Sequence, residues 1–111
     1  MQIHQSAEDY LETILMLTQR MGRVRSIDVV NELGYTKASV SIAMKKLREN
    51  GYIAVDGEGN LTLLEPGREI AERIYSRHRL LTHFFVQLGV EEEVAAEDAC
   101  KAEHILSEQT L

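Results

Sequence analysis

Apolar residues recur every three or four positions near the start of the chain and predict a helix over residues 6–22. Its apolar face is formed by Tyr10, Ile14, Leu17 and Met21. Ser6 is a suitable N-cap residue, and Gly22 follows the last apolar position. The next segment, "RVRS", lacks this spacing. We expect it to be a short, extended connector.

Two shorter helices follow. Ser26 and Thr36 are predicted to cap them, and Gly34 lies in the short turn between them. The apolar stripe of the third helix consists of Val40, Ala43, Met44 and Leu47. "NG" at residues 50–51 ends this helix.

The period then changes from helix to strand. "YIAV" and "LTLL" flank the turn sequence "DGEGN" and predict a β-hairpin. A long helix follows, with Pro66 near its start. Its stripe contains Ile74, His78, Leu81, Phe85 and Leu88. A last helix is predicted over residues 90–109. The expected fold is mainly α with a small β-hairpin: a winged helix-turn-helix over residues 1–64, then a helical domain over residues 65–111.

The charge distribution supports this division. The chain has 111 residues, 44% apolar and 27% charged, with a net charge of −6. Residues 1–80 are balanced, so the whole excess lies in residues 81–111, where Lys101 stands against seven acidic side chains. A single cysteine and the lack of a signal peptide or a membrane-spanning apolar run favour a soluble, cytoplasmic protein with no membrane partner.

The outer face of the third helix has the chemistry of a DNA reader. Opposite the apolar stripe lie Ala38, Ile42, Lys45 and Glu49. Lysine and serine side chains can hold phosphates, while Ala38 and Ile42 can contact thymine methyl groups. The residues expected to contact double-stranded DNA are Arg25, Thr36, Lys37, Ala38, Ser39, Ser41, Ile42, Lys45 and Lys46.

The predicted wing weakens this interpretation. Asp56 and Glu58 lie at its tip, where phosphates would repel them unless Arg23 and Arg25 compensate. A winged-helix module that binds a protein and no DNA is therefore an alternative. No nucleophile–base arrangement or phosphate-binding loop is visible, so we do not expect an enzyme.

Three stretches offer metal ligands. Asp9 and Glu12 share a face of the first helix, His78 interrupts an apolar stripe, and "DACKAEH" places Cys100, Glu103 and His104 on one face of the last helix. If these faces converge, the donor set suits a divalent first-row transition metal.

Each group also has a simpler interpretation. Asp9 can complete a capping box with Ser6, and Glu12 can be solvated surface. His78 can be a hydrogen-bonded core histidine, and Cys100 a small buried hydrophobe. A second functional alternative makes Cys100 a thiol redox sensor in a DNA-binding regulator.

The segments "SAEDYLETILML", "VRSIDVVNELGYTKASVSIAMKKLRENGYI", "SRHRLL" and "DACKAEHILS" resemble the diphtheria-toxin-repressor family. Its members are iron- or manganese-dependent bacterial transcriptional regulators. The resemblance covers nearly the whole chain. It implies a winged helix that reads an operator, later helices that form a homodimer, and metal bound between the first helix and the dimerisation helices.

The resemblance implies six metal ligands: Asp9, Glu12, His78, Cys100, Glu103 and His104. Aspartate at position 9 matches the manganese branch of the family, whereas cysteine at position 100 matches the iron branch. The thiolate favours Fe²⁺ and the carboxylate pulls towards Mn²⁺. We expect Fe²⁺ to be preferred, with Mn²⁺ a close second.

Some positions depart from the family pattern. Ala96 and Thr82 replace a histidine and a glutamate of the ancillary site of the iron branch, so we expect that site to be incomplete. Ala38 and Ile42 replace a proline and a base-contacting glutamine, so the operator of a relative cannot be assumed. The SH3-like third domain of some relatives is missing, and the chain stops at "SEQTL", which suggests a short or a trimmed member.

Overall fold

A computed structural model describes residues 5–111 of the chain. Over this range the chain forms five helices and one antiparallel hairpin, which confirms the predicted fold class. The elements are α1 (Gln5–Met21), α2 (Ser26–Leu33), α3 (Lys37–Glu49), β1 (Ile53–Val55), β2 (Leu61–Leu63), α4 (Glu65–Gln87) and α5 (Glu92–Ala102). The chain divides into two compact units inside α4, the first ending at Glu72 and the second running from Arg73 to Leu111.

The core of the first unit draws on the predicted apolar stripes, with two differences on α1. Met21, predicted to continue the α1 stripe, is 50% exposed, and Leu11, outside that stripe, is fully buried. Leu11 and Ile14 of α1, Val29 of α2, Val40 of α3 and Ile53 of β1 are at most 1% exposed. Burying an aliphatic side chain of this size contributes roughly 1.5–3 kcal/mol to folding. This shared core therefore fixes α3 against α1 and α2.

The turn between α2 and α3 is held by local hydrogen bonds. Gly34 has a positive φ of 71°, and its N–H donates to the carbonyl of Val30 at 2.8 Å. Thr36 caps α3 as predicted, because its hydroxyl oxygen accepts from the N–H of Ser39 at 3.1 Å. The prediction of a Ser26 cap on α2 is wrong by one residue. Arg25 has the extended backbone of an N-cap and donates its N–H to the Asp28 carboxylate at 2.9 Å.

The wing is a short hairpin in which Ile53 pairs with Leu63 and Val55 with Leu61. The predicted extended connector joins it, since Arg25 forms an antiparallel bridge with Asn60. At the turn, Asp56 Oδ1 accepts from the N–H groups of Glu58 and Asn60, both at 2.9 Å. These bonds, with that from the Asn60 side chain, lower the pKa of the Asp56 carboxyl group.

The start of α4 packs tightly against the entry to β1. The N–H of Leu64 donates to the carbonyl of Tyr52 at 3.0 Å, and Gly67 lies directly over the same carbonyl. A Cβ atom at Gly67 would collide with the Tyr52 oxygen and lie 3.3 Å from Leu11 Cδ2. Only glycine therefore fits where α4 crosses the peptide of Tyr52.

In the second unit, Ile74 and Leu81 of α4 and Ala95 and Ala99 of α5 are buried. Leu88, predicted to continue the α4 stripe, is 68% exposed and lies after the end of the helix.

The prediction that the last helix extends to residue 109 is wrong, because α5 ends at Ala102 and the chain continues in turns. Arg77 of α4 donates to the carbonyls of Glu103 and Leu106, both at 3.2 Å. In a longer α5 these carbonyls would point along the helix axis. By binding them, the Arg77 guanidinium group stabilises the turns that follow Ala102.

Candidate nucleic-acid interface and metal centre

The outer face of α3 is open to solvent in the first unit. Val40, Met44 and Leu47 are at most 5% exposed, while Ile42 on the other side is 58% exposed. All nine residues predicted to contact DNA have exposed side chains. The structure therefore places all nine at the surface of the first unit.

Two of these nine residues also have a structural role. The Thr36 hydroxyl donates to Ser39 Oγ at 2.9 Å while its oxygen accepts from the Ser39 N–H. Together they fix the first turn of α3, whose remaining N–H groups point outward at its positive end. The start of α3 thus has the hydrogen-bond donors and the dipole that suit a phosphate.

An aromatic pair supports the same turn from α1. The rings of Tyr10 and Tyr35 meet edge to face, with centroids 5.9 Å apart and an interplanar angle of 78°. Burial, the neighbouring Tyr35 and Asp9 together raise the pKa of the Tyr10 hydroxyl. The residue immediately before the α3 cap is therefore packed on the helix that carries Asp9 and Glu12.

The wing tip is acidic, as expected, and only loosely compensated. Arg23 Nη1 lies 3.9 Å from Glu58 Oε2, and both side chains are more than two-thirds exposed. Pairs of this kind contribute at most about 1 kcal/mol. The lowered pKa keeps Asp56 ionised at neutral pH. The tip of the wing therefore contributes little attraction for an anion.

Two predicted ligands, Asp9 and Glu12, lie on α1 in the first unit. Glu12 is only 6% exposed, so its interpretation as solvated surface is wrong. Asp9 is half-buried. Ser6 lies inside α1 rather than at its cap, so the capping-box interpretation of Asp9 is also wrong. A carboxylate on a buried helix face is costly unless polar groups or a cation compensate its charge.

The second unit brings three predicted ligands into contact. The Glu103 side chain is fully buried, and that of His104 is 1% exposed. Glu103 Oε2 lies 3.0 Å from His78 Nδ1, and Glu103 Oε1 lies 3.4 Å from His104 Nε2. Two imidazole nitrogens therefore flank the two oxygens of one buried carboxylate.

These separations match the chemistry of a metal site. Nitrogen and oxygen ligands lie about 2.0–2.2 Å from a first-row transition ion, so neighbouring ligand atoms are about 3.0–3.5 Å apart. The distances from Glu103 to His78 and His104, 3.0 and 3.4 Å, fall in this interval. His78, Glu103 and His104 thus offer nitrogen and oxygen donors of the types that a divalent cation takes, with each imidazole against a different oxygen of the carboxylate.

Cys100 lies on the last turn of α5, one helical turn before Glu103. Its side chain is exposed and forms no disulfide, so the buried-hydrophobe interpretation is wrong. His104 follows the end of α5 and lies in a turn, so the predicted helical face shared by Cys100, Glu103 and His104 is not formed as such. From this turn, His104 Nε2 lies 3.4 Å from Oε1 of Glu103, the preceding residue.

Sequence analysis missed Arg77, the neighbour of His78. By holding the carbonyls of Glu103 and Leu106, its side chain orients the turn that carries His104. An arginine next to a candidate ligand was the available signal, but its acceptors lie 26 and 29 residues away.

The first unit is a winged helix-turn-helix, the architecture of many DNA-binding regulators. Two family models match the chain in succession. One is described as "Iron dependent repressor, N-terminal DNA binding domain" and matches residues 2–61. The other, "Iron dependent repressor, metal binding and dimerisation domain", matches residues 64–111. The chain belongs to this family, also called the diphtheria-toxin-repressor family, which confirms the predicted resemblance.

Individual relatives support the same family assignment. An HTH-type transcriptional regulator of Methanocaldococcus jannaschii is 36% identical over 109 residues, covering 96% of this chain and 87% of the relative. The HTH-type transcriptional regulator MntR of Bacillus subtilis is 35% identical over 102 residues, covering 92% and 72%. Both are transcriptional regulators and not enzymes, in agreement with the sequence analysis.

Among solved structures, a manganese-dependent transcriptional repressor in complex with manganese has a TM-score of 0.85 and 29% identity. The match covers 94% of this chain and 48% of that structure, so the chain spans about half the length of that solved relative. Within residues 5–111, no helix has both the length and the apolar character needed to cross a membrane.

Proposed function

We propose that the chain is a homodimeric, metal-activated repressor that binds a double-stranded DNA operator and controls metal-ion homeostasis in the cytoplasm. The observation that carries this proposal is the buried Glu103 carboxylate, flanked at 3.0 and 3.4 Å by the imidazoles of His78 and His104. A buried carboxylate with two imidazole neighbours is a ready ligand set for a divalent cation. The dimerisation domain named by the family model supports assembly through the second unit.

DNA binding is assigned to the first unit. Ser41, Lys45 and Lys46 project from the exposed face of α3, and Thr36 and Ser39 fix its first turn. Phosphate contacts from such groups position a helix in the major groove, and base-edge contacts then specify the sequence.

The metal ligands in this proposal are Asp9, Glu12, His78, Cys100, Glu103 and His104. When bound, a divalent cation supplies positive charge that offsets the carboxylates. We favour Fe²⁺ because the Cys100 thiolate is a soft ligand, with Mn²⁺ next because Asp9 and Glu12 are hard ones. A relative of known structure is described as manganese-dependent, whereas the family model names iron.

The switch follows from the distribution of these ligands between the units. Asp9 and Glu12 belong to the unit that carries α3, and the other four ligands belong to the unit assigned to the dimer. Joining the two sets requires their negative charges to be neutralised. A ligand shifts such an equilibrium only by its differential affinity for the two arrangements. Metal therefore promotes the one arrangement of α3 that fits an operator.

The test is DNA binding measured by fluorescence anisotropy, with duplexes first selected from a random pool under anaerobic, Fe²⁺-loaded conditions. We expect Fe²⁺ or Mn²⁺ to tighten binding at least tenfold relative to chelator. Glu103→Gln should remove this activation, while Glu108→Gln, an exposed control on the same chain, should preserve it. Equal affinity with chelator and with metal would contradict the switch.

The metal preference has its own test. Anaerobic calorimetry of the wild type and Cys100→Ala with Fe²⁺ and Mn²⁺ should show a larger loss of affinity for Fe²⁺ than for Mn²⁺. An equal loss for both ions would exclude Cys100 as the source of the preference. Neither the redox-sensor nor the protein-interaction alternative is favoured by the family assignment.

A further inference from the structure

Ile42 is an unusual residue for its position. It is 58% exposed on the side of α3 opposite Val40 and Met44, and so contributes little to the core of the first unit. As a β-branched residue it is also a weaker helix former than a polar straight-chain residue would be. Neither burial nor helix propensity therefore explains an isoleucine here.

The surroundings of Ile42 are apolar at the centre and polar at the edges. Ala38, also exposed, precedes it by one turn on the same face. Ser41 and Lys45 lie on one side of Ile42, and Ser39 and Lys46 lie on the other. A groove of 240 Å³ separates Ile42 from Tyr10 of α1, so no side chain of α1 fills the space beside it. Ala38 and Ile42 form a narrow apolar strip between groups able to hold phosphates.

Base pairs offer one apolar group in the major groove, the C5-methyl group of thymine. The other base-edge groups there are hydrogen-bond donors or acceptors, and an aliphatic side chain would desolvate them without replacing their hydrogen bonds. An apolar strip on a groove-reading helix therefore discriminates in favour of thymine.

We infer that Ile42, supported by Ala38, is the specificity-determining contact of α3 and selects thymine methyl groups in the operator. The inference rests on the proposed DNA binding and names the bases that the same face reads. Residues four apart on a helix are separated by about 6 Å along its axis. Since base pairs are stacked about 3.4 Å apart, the two side chains reach methyl groups within about two base-pair steps.

Replacing thymine by deoxyuridine tests this inference, because it removes the methyl group and leaves base pairing unchanged. Affinities would be measured for selected duplexes in which each thymine is replaced in turn. Burying one methyl group changes affinity about fourfold. We expect a loss of that size at one or two thymines within two base-pair steps, and a smaller loss elsewhere.

Protein variants assign the effect to Ile42. In Ile42→Ala the thymine-to-uracil ratio at those positions should fall towards one, and Ile42→Val should lie between this variant and the wild type. Ile27→Ala is the control, since Ile27 is 43% exposed on α2 in the same unit, and it should leave the ratio unchanged. Circular dichroism verifies that each variant is folded.

The outcomes separate the two proposals. Metal-dependent binding with equal affinity for thymine and uracil at every position would overturn the role of Ile42 and leave the repressor function intact. A thymine preference that persists in Ile42→Ala would also overturn it. Failure to select any duplex, with or without metal, would reject the proposed function and this inference together.

Discussion

The contact between Gly67 and the Tyr52 carbonyl makes a strong prediction for Gly67→Ala. In an ordinary helix, alanine is favoured over glycine by up to about 1 kcal/mol. Here the added Cβ would collide with a backbone oxygen, which cannot rotate away, and approach Leu11 Cδ2 at 3.3 Å. Overpacking of this kind costs roughly 1–3 kcal/mol.

A weakened hydrogen bond adds to the free-energy cost of overpacking in Gly67→Ala. Moving α4 away from Tyr52 also weakens the 3.0 Å hydrogen bond from the Leu64 N–H, which contributes roughly 0.5–1.5 kcal/mol. After the helix-propensity gain of about 1 kcal/mol is subtracted, Gly67→Ala should destabilise the protein by about 0.5–3.5 kcal/mol. Each kcal/mol lowers Tm by about 4–8 °C in a domain of this size.

Urea unfolding and thermal melts measure the effect. Gly57→Ala is a suitable control, because Gly57 has an ordinary φ and nothing lies within 4 Å of an added Cβ. We expect the control to stay within about 0.5 kcal/mol of the wild type. A Gly67→Ala protein as stable as the control would refute the close approach of α4 to Tyr52.

Three further predictions follow from single contacts. Arg77→Ala should release the turn at Glu103 and Leu106 and reduce metal affinity in calorimetry. Arg77→Lys should recover only part of this affinity, because lysine lacks the planar guanidinium group that binds both carbonyls. Unchanged affinity in Arg77→Ala would argue against orientation of the turn by Arg77. Thr36→Ala removes the α3 cap and should lower the free energy of unfolding, measured in urea, by about 0.5–2 kcal/mol, whereas Thr36→Ser should keep most of that stability. An equal loss in both variants would contradict the capping role of Thr36. The hydrogen bonds that lower the Asp56 pKa stabilise the wing at pH values above the unfolded-state pKa, and this stabilisation is lost as pH falls through the lower folded-state pKa. In an NMR titration, the Asp56 carboxyl group should have a midpoint below that of an unperturbed aspartate, and Asn60→Ala should raise it.

The carboxylates of the two units lie in different environments. In the first unit, the wing carboxylates of Asp56 and Glu58 are exposed, so water screens them and they cost little. In the second unit, Glu103 is fully buried beside two imidazoles. A buried charge requires compensation, which makes Glu103 the group whose environment most strongly indicates a function.

Local sequence predicted much of the first unit. Helical spacing located α1, α2 and α3, the cap at Thr36 and the turn at Gly34 were correctly placed, and "DGEGN" marked the hairpin. These features depend on neighbours within four residues, where side-chain spacing and backbone preference act directly. The cap of α2 was predicted at Ser26 but lies one residue earlier, at Arg25, whose N–H donates to the Asp28 carboxylate.

The second unit shows where local spacing fails. The sequence predicted one last helix over residues 90–109, beyond Ala102. In the structure α5 ends at Ala102, and Arg77, more than 25 residues earlier, binds the carbonyls of the following turn. A contact between distant segments cannot be inferred from periodicity, which describes only how neighbouring residues share a face.

The sequence by itself determined the order of the elements, the polar face of α3 and the residue types available as ligands. Only the tertiary structure decided that Glu103 is buried, that His78 and His104 lie against its two oxygens, and that Cys100 remains exposed. The physical reason is that burial and ligand distance depend on how helices pack and where a turn is held. For Glu103 and His78, which lie 25 residues apart, both are properties of contacts between distant segments of the chain.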